Sequence, residues 1–137
     1  LLTGPQLSKL FTTRPKIDPK DTGVAKTCDW SDISAGSGVT AQLLYAARDG
    51  ISQFYQRKDQ YAVWKVLPPI HGFPASIYPD VDTSDSGICG LVVGIADNLA
   101  IDVSTSVSDK NTGKAGACEA AAQRAADLTG TTLKGGA

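Results

Sequence analysis

The sequence predicts an α+β domain, a mainly antiparallel sheet with N-terminal and C-terminal helices packed against it. The predicted elements run helix, two strands, short helix, four strands, helix, without the strand and helix alternation that parallel sheets show. The chain has 137 residues, of which 42% are hydrophobic, enough for one core. We therefore predict one domain over residues 1–137, with 134–137 as a frayed tail.

The first predicted element is a helix that begins beside Thr3. Thr3 is a good N-cap residue, Pro5 falls in the first turn, and Gln6 stands three residues after Thr3 as in a capping box. The predicted buried face consists of Leu7, Leu10 and Phe11.

Two strands are predicted next. Residues 12–27 are rich in Pro, Lys, Asp and Thr without periodicity, which predicts a loop. A strand follows near Cys28 and Trp30. From Val39 to Tyr45, apolar and polar residues alternate with the period of a half-buried strand.

The middle of the chain predicts a short helix and two further strands. Asp49 can cap a helix over 51–55 that carries one apolar stripe. Residues 61–67 and 75–78 are typical of strands. Prolines in 68–74 indicate a connection between them, since proline cannot donate a ladder hydrogen bond.

The last part of the chain predicts a hairpin and a closing helix. Residues 88–95 are apolar, Asp97-Asn98 suits a two-residue turn, and 99–104 alternate in polarity. Small residues from Cys118 to Leu128 then recur at helical spacing until Gly130, which is predicted to end the helix.

Composition excludes some classes of function and indicates a compartment. The formal net charge is −1, and no basic run resembles a nucleic-acid footprint, so no nucleic-acid partner is expected. No apolar stretch approaches the roughly 18 residues of a membrane helix. Three cysteines favour an oxidising, extracytoplasmic environment for the domain.

Few residues suggest catalysis or metal binding. His71 is the only histidine, and a metal site or a catalytic triad would need partners that the sequence does not place beside it. Residues 80–85 space oxygen atoms like the start of a calcium loop, but the glycine position holds Asp85 and the bidentate position holds Leu91. We predict no catalytic residue, metal or cofactor.

The aromatic residues allow two interpretations, a core or a ligand groove. Packing in the core is the favoured interpretation for most of them. However, some lie on or beside connections, where a concave aromatic patch would bind an apolar ligand or a protein segment. The candidate ligand-binding residues are His71, Phe73 and Tyr78.

Five short motifs, taken in order, resemble the actinobacterial envelope lipoproteins catalogued as domain of unknown function 3558. The motifs are Leu1-Leu2-Thr3, Cys28-Asp29-Trp30, Gly72-Phe73-Pro74-Ala75, Cys89-Gly90-Leu91-Val92-Val93 and Ala117-Cys118-Glu119-Ala120-Ala121. The resemblance covers nearly the whole chain. It implies a signal peptide, a lipid-attachment cysteine and a flexible tether upstream, with exposure on the outer face of the membrane.

The resemblance also bears on the cysteines. The family's first cysteine would stand just before Leu1 and would pair with Cys118, which is therefore unpaired here or paired to that upstream residue. We predict a disulfide between Cys28 and Cys89.

The predicted function is that of a noncatalytic, lipid-anchored binding or accessory module of the cell envelope. Its expected partner is an envelope protein or a hydrophobic small ligand, and its contact with the membrane is through the upstream anchor. The alternative is a secreted hydrolase with a nonstandard site near His71. The family that the chain resembles has no assigned reaction, so the resemblance favours neither.

Overall fold

A computed structural model describes residues 2–11, 15–23, 25–32, 36–45, 49–61, 64–77 and 88–106, and the backbone of 117–134 with the side chains of 120 and 122–131. The strands are β1 (Lys16–Asp21), β2 (Lys26–Asp32), β3 (Ser37–Leu44), β4 (Lys65–Ile70), β5 (Phe73–Ile77), β6 (Ile88–Ala96) and β7 (Leu99–Ser106). The helices are α1 (Gly4–Leu10), α2 (Ser52–Gln56) and α3 (Ala117–Lys134), with a 3-10 turn at Lys58–Gln60.

The strands form one antiparallel sheet in the order β1-β2-β3-β7-β6-β5-β4. The first three strands make one meander and the last four make another, and the pairing of β3 with β7 joins the two. This confirms a mainly antiparallel sheet with a C-terminal helix. The N-terminal helix is short, at seven residues.

The main core lies between α3 and one face of the sheet. Alternate residues of the strands point to this face, as the two-residue period requires. They include Trp30, Val39, Ala41, Leu67, Ala75, Ile77, Leu91, Val93, Ile101 and Val103. Small residues of α3, Ala122, Ala125 and Ala126, pack against them and let the helix lie close to the sheet.

Helix α1 closes one side of this core as the sequence predicts. The backbone N–H of Thr3 donates to Oε1 of Gln6 at 2.8 Å, and Leu7 and Phe11 are buried. The same Gln6 side chain donates through Nε2 to the carbonyl oxygen of Leu128 at 2.8 Å. One residue therefore caps α1 and ties it to α3.

The opposite face of the sheet carries a second, smaller apolar cluster. Phe54 of α2 packs there on Val92 and Ala100. Trp64 stacks on Tyr61 at 5.9 Å between ring centroids and meets Tyr55 edge to face at 4.9 Å. We call Phe54, Tyr61, Trp64, Val92 and Ala100 the aromatic cluster.

The prediction of a loop over 12–27 is wrong because β1 lies within it. All six residues of β1 are exposed, so the strand has no apolar alternation to reveal it. It is an edge strand, where Pro19 can be accommodated because one side of the strand needs no ladder partner.

The predicted proline connection over 68–74 is also wrong. Strand β4 continues to Ile70 and β5 begins at Phe73, which leaves only His71-Gly72 between them. The prolines are tolerated because β4 is the other edge of the sheet, and the register shifts between Leu67 and Ile70.

Candidate functional site

The turn at His71-Gly72 gives the histidine an unusual backbone. His71 has φ +53° and Gly72 has φ +82°, and a two-residue hairpin turn of type I′ has positive φ at both positions. Glycine adopts this conformation freely, whereas histidine pays roughly 1 kcal/mol for it. A stabilising contact of the His71 side chain must offset that cost.

That contact is with the C-terminal half of α3. Nε2 of His71 lies 3.0 Å from the carbonyl oxygen of Asp127, 3.0 Å from its Oδ1 and 3.1 Å from the hydroxyl oxygen of Thr131. Carbonyl and carboxylate oxygens only accept, so Nε2 carries a hydrogen and donates. The Thr131 hydroxyl donates to the Asp127 carbonyl at 3.0 Å. His71 therefore fastens the β4–β5 hairpin to α3.

Gly130 makes room for this imidazole. A Cβ at position 130 would lie 2.9 Å from Cδ2 of His71, closer than side chains pack. The predicted helix end at Gly130 is wrong, because α3 continues to Lys134. Gly130 allows the His71 ring to lie close to α3, and it does not end the helix.

The arrangement around His71 differs from that of a catalytic triad. In a triad, the acid and the nucleophile occupy opposite nitrogens of the ring. Here the Asp127 carboxylate and the Thr131 hydroxyl both lie at Nε2. The His71 side chain instead links the β4–β5 hairpin to α3.

Phe73, two residues further on, lines a shallow apolar groove between the sheet and α3. Its empty volume is about 230 Å³, including the open mouth. The lining residues are Phe73, Val93, Ile95, Ile101, Val103, Ala126, Thr129 and Gly130. The hydroxyl of Thr129 donates to the carbonyl oxygen of Ala125 at 2.9 Å, so the groove offers mainly apolar contacts.

Of the three predicted ligand-binding residues, the structure brings two to this end of the sheet. Phe73 lines the groove, and His71 reaches Gly130 at its rim. Tyr78 and the calcium-like residues 80–85 lie outside the described residues. Within the described ranges, no group of three or more His, Cys, Asp or Glu side chains could hold a metal ion.

The predicted disulfide between Cys28 and Cys89 is wrong, because Cys28 has a free thiol. Cys28 pairs with Ala41, Ala41 with Val103, and Cys89 lies on the strand beyond. Three strand spacings separate β2 from β6, roughly 14 Å, twice the Cα separation that a disulfide tolerates. Cys89 is disulfide-bonded, so its partner is a residue other than Cys28. The side chain of Cys118 lies outside the described residues.

Asp102 is not among the candidate residues that the sequence predicts. It lies on β7, in the middle of the sheet, on the face opposite α3, where it pairs with Gln42 and Val92. It is partly buried, and burial raises its pKa from 3.8 to about 7. The signal for it in the sequence is a single acidic residue within a strand that otherwise consists of apolar and small residues.

Comparison with known proteins gives a family without an assigned activity. Residues 1–131 match the family described as "Protein of unknown function (DUF3558)". No curated protein and no solved structure matches the chain. In the part of the chain that the structure describes, no helix is long and apolar enough to span a membrane.

Proposed function

The chain belongs to the DUF3558 family, and from that premise we propose that it is a noncatalytic, lipid-anchored binding or accessory module of the actinobacterial cell envelope. The lipid anchor and the envelope location rest on the resemblance of its five motifs to envelope lipoproteins. The binding role rests on the geometry around Phe73. The expected partner is a hydrophobic small ligand or an apolar segment of an envelope protein.

The observation that carries the proposal is the apolar groove beside Phe73. The empty volume of about 230 Å³ includes open solvent, and the enclosed cavity is about 10 Å³, roughly the space of one water molecule. It suits one apolar group, such as the end of an acyl chain or a single side chain. The ring of His71 at the rim is engaged by α3, which favours a framework role for it.

The test uses decanoate as the apolar probe and follows backbone amide shifts of Phe73, Ala126 and Gly130 by NMR. We expect saturable shifts at these residues in the wild-type chain. Phe73→Asp should weaken binding by about tenfold or more, equivalent to roughly 1.4 kcal/mol, because it places a charge in the groove. Circular dichroism checks that the variant is folded, and Phe73→Ala replaces it if it is not.

The matched control is Val66→Asp, the same kind of change at an exposed apolar residue of edge strand β4, which is 58% exposed. It should bind decanoate like the wild type. Equal loss in both variants, or no shifts at the groove, would contradict the proposed site. If the wild type hydrolysed p-nitrophenyl decanoate and His71→Ala abolished this while Phe73→Asp did not, the hydrolase alternative would stand instead.

A further inference from the structure

The face of the sheet opposite α3 is divided between apolar and polar residues. At one end the aromatic cluster covers it, over Val92 and Ala100. Beyond that cluster the face is polar, with residues contributed by adjacent strands in register. These residues are Thr27, Asp29, Thr40, Gln42, Asp102 and Ser104.

Asp102 stands at the boundary between the two parts. Val92 lies directly opposite it on β6, and Ala100 precedes it by two residues on the same face, and both belong to the aromatic cluster. On its other side, Gln42 lies directly opposite on β3, and Ser104 follows two residues later. The carboxylate thus has an apolar wall on one side and polar neighbours on the other.

Among the described residues, no cation or hydrogen-bond donor satisfies the Asp102 carboxylate. Within the described part of the chain, burial is the one cause of its raised pKa. By contrast, Asp29 on the same face accepts from the Thr40 hydroxyl at 2.6 Å and from Lys20 Nζ at 3.4 Å. An acid that is partly buried without compensation costs free energy, and proteins keep such groups mainly where they have a task.

The charged groups nearby do not reach Asp102. Those that share its face of the sheet, among the described residues, are Lys16, Asp18, Lys20 and Asp29. Lys20 lies three strand spacings away, roughly 14 Å, and is held by Asp18 at 3.1 Å and by Asp29. The segment over the aromatic cluster carries titratable Asp49, Tyr55, Arg57, Lys58, Asp59 and Tyr61, and all but Tyr61 are exposed.

Gly90 on β6 lies diagonally beside Asp102, opposite Ser104, and carries no side chain. A Cβ built at Gly90 would meet only atoms of the neighbouring strand, namely Ser104 Cβ at 3.6 Å, Val103 O at 3.8 Å and Ser104 Cα at 4.0 Å. No described atom of a covering layer approaches it as closely. With respect to the described residues, a side chain at position 90 would make only ordinary van der Waals contacts with β7, so the glycine leaves the space of one side chain diagonal to the carboxylate.

We propose that this face binds an organic ammonium group, with the charged head at Asp102 and its apolar stem against Trp64 and Tyr61 of the aromatic cluster. A carboxylate supplies the counter-charge, and Gln42 and Ser104 supply further oxygen acceptors for an N–H. Indole and phenol rings attract both a cation and its alkyl stem. A free alkylamine and a lysine side chain both have this chemistry.

The experiment titrates the protein with hexylammonium chloride and follows the amides of Gly90, Val92 and Asp102 by NMR. Binding requires the ionised carboxylate, and the pKa of Asp102 is about 7. We therefore expect about tenfold tighter binding at pH 8 than at pH 6. Nα-acetyl-lysine amide is the second probe, and the tighter of the two identifies the source of the ammonium group.

Two variants form the matched pair, Asp102→Asn and Asp29→Asn. Each removes one carboxylate charge from the same face, but Asp29 already has partners in Thr40 and Lys20. Asp102→Asn should lose at least about tenfold in affinity and its pH dependence, whereas Asp29→Asn should keep both. The first change is isosteric and removes a buried charge, so the variant is expected to fold.

Three results would overturn the proposal. Hexanol, which has the same stem without the charge, could shift the same amides with equal affinity. Asp102→Asn could bind hexylammonium as tightly as the wild type. Calcium chloride could displace hexylammonium at equimolar concentration, which would make the site one for a metal ion.

Discussion

At the scale of single residues, two polar groups lie where ordinary packing would not put them. His71 has a left-handed backbone conformation, and the contacts of its side chain with Asp127 and Thr131 offset the conformational free energy that this costs. Asp102 is partly buried, and no described residue supplies its carboxylate with a cation or a hydrogen-bond donor. The first group stabilises the fold by its contacts, while the second costs stability, so the two should respond oppositely to removal.

The Asp102→Asn variant should be more stable than the wild type at pH 8. The folded-state pKa of about 7 lies above the unfolded value near 3.8, so the folded protein holds a proton that the unfolded chain has released between these values. This acid's contribution to stability therefore falls from about pH 4 to pH 7 and stays low above that. We expect a gain on the order of 2 to 4 kcal/mol at pH 8, the lower figure allowing for solvent screening, and none near pH 3.5.

Urea unfolding of both proteins at pH 3.5, 6 and 8 measures this difference. The contributions of the other titrating groups to the free energy of unfolding cancel in the difference, because both proteins contain these groups. Asp29→Asn is the control and should gain nothing at pH 8, since it loses its contacts with Thr40 and Lys20. A wild type as stable as Asp102→Asn at pH 8 would show that Asp102 is not destabilised by burial.

At the scale of elements, the sequence predicts those with a periodic apolar face. Strands β2, β3, β6 and β7 and the start of α1 occur where they are expected, and the turn at Asp97-Asn98 joins β6 to β7. Strand β1 has no apolar alternation that predicts it, because all of its residues are exposed, and the prolines of β4 predict a connection where the strand in fact continues. In both edge strands, position in the sheet overrides local propensity, and position is invisible in one sequence.

The candidate site also contains residues with a local sequence signal and residues whose environment depends on distant parts of the chain. The position of Phe73 beside a predicted connection makes it a candidate from sequence, and in the structure it lines the groove, while its ligand-binding role stays a prediction. The fastening of His71 to α3 depends on residues more than fifty positions away, so no local pattern predicts it. The environment of Asp102 likewise depends on Gln42 and Val92, which only the strand order brings beside it.

A double-mutant cycle tests the contact between the β4–β5 hairpin and α3. Gly130→Ala alone should destabilise by about 1 kcal/mol, because its Cβ would displace the His71 ring and weaken its hydrogen bond. In a His71→Ala background the same change should stabilise by up to about 1 kcal/mol through helix propensity. Alanine at position 71 keeps the positive-φ cost, so the cycle isolates the ring. Thermal unfolding of the four proteins gives the coupling, and the same sign in both backgrounds would refute the contact.

At the scale of the whole molecule, both edges of the sheet carry proline. Pro19 lies in β1, and Pro68 and Pro69 lie in β4, so each edge lacks N–H donors that another strand would need. Charged residues reinforce this at β1, where Lys20 pairs with Asp18. The sheet is thereby protected against extension by a further strand.

The cysteines give a prediction at the same scale. The chain has three, Cys28 is free, and Cys89 is bonded. A digest made without reductant should yield Cys28 as an alkylatable thiol and the Cys89 peptide joined to another peptide by a disulfide. Mass spectrometry settles the connectivity, and recovery of Cys28 joined to Cys89 would require a different strand order. Cys28→Ser should accordingly leave the bonded pair intact, whereas Cys89→Ser should release a second thiol.

The pairing of β3 with β7 has a consequence for the order in which the chain is made. The first meander is complete as a sequence once β3 has been synthesised, yet its inner edge stays open until β7 is available, after β4, β5 and β6. Helix α3, which covers the junction from one side, comes later still. During synthesis the nascent chain therefore presents an unpaired β3 edge, without the prolines that protect the outer edges of the folded sheet. Closure of the sheet must wait for β7, which ends at residue 106 of 137, and we expect this long-range pairing to form more slowly than the local hairpins.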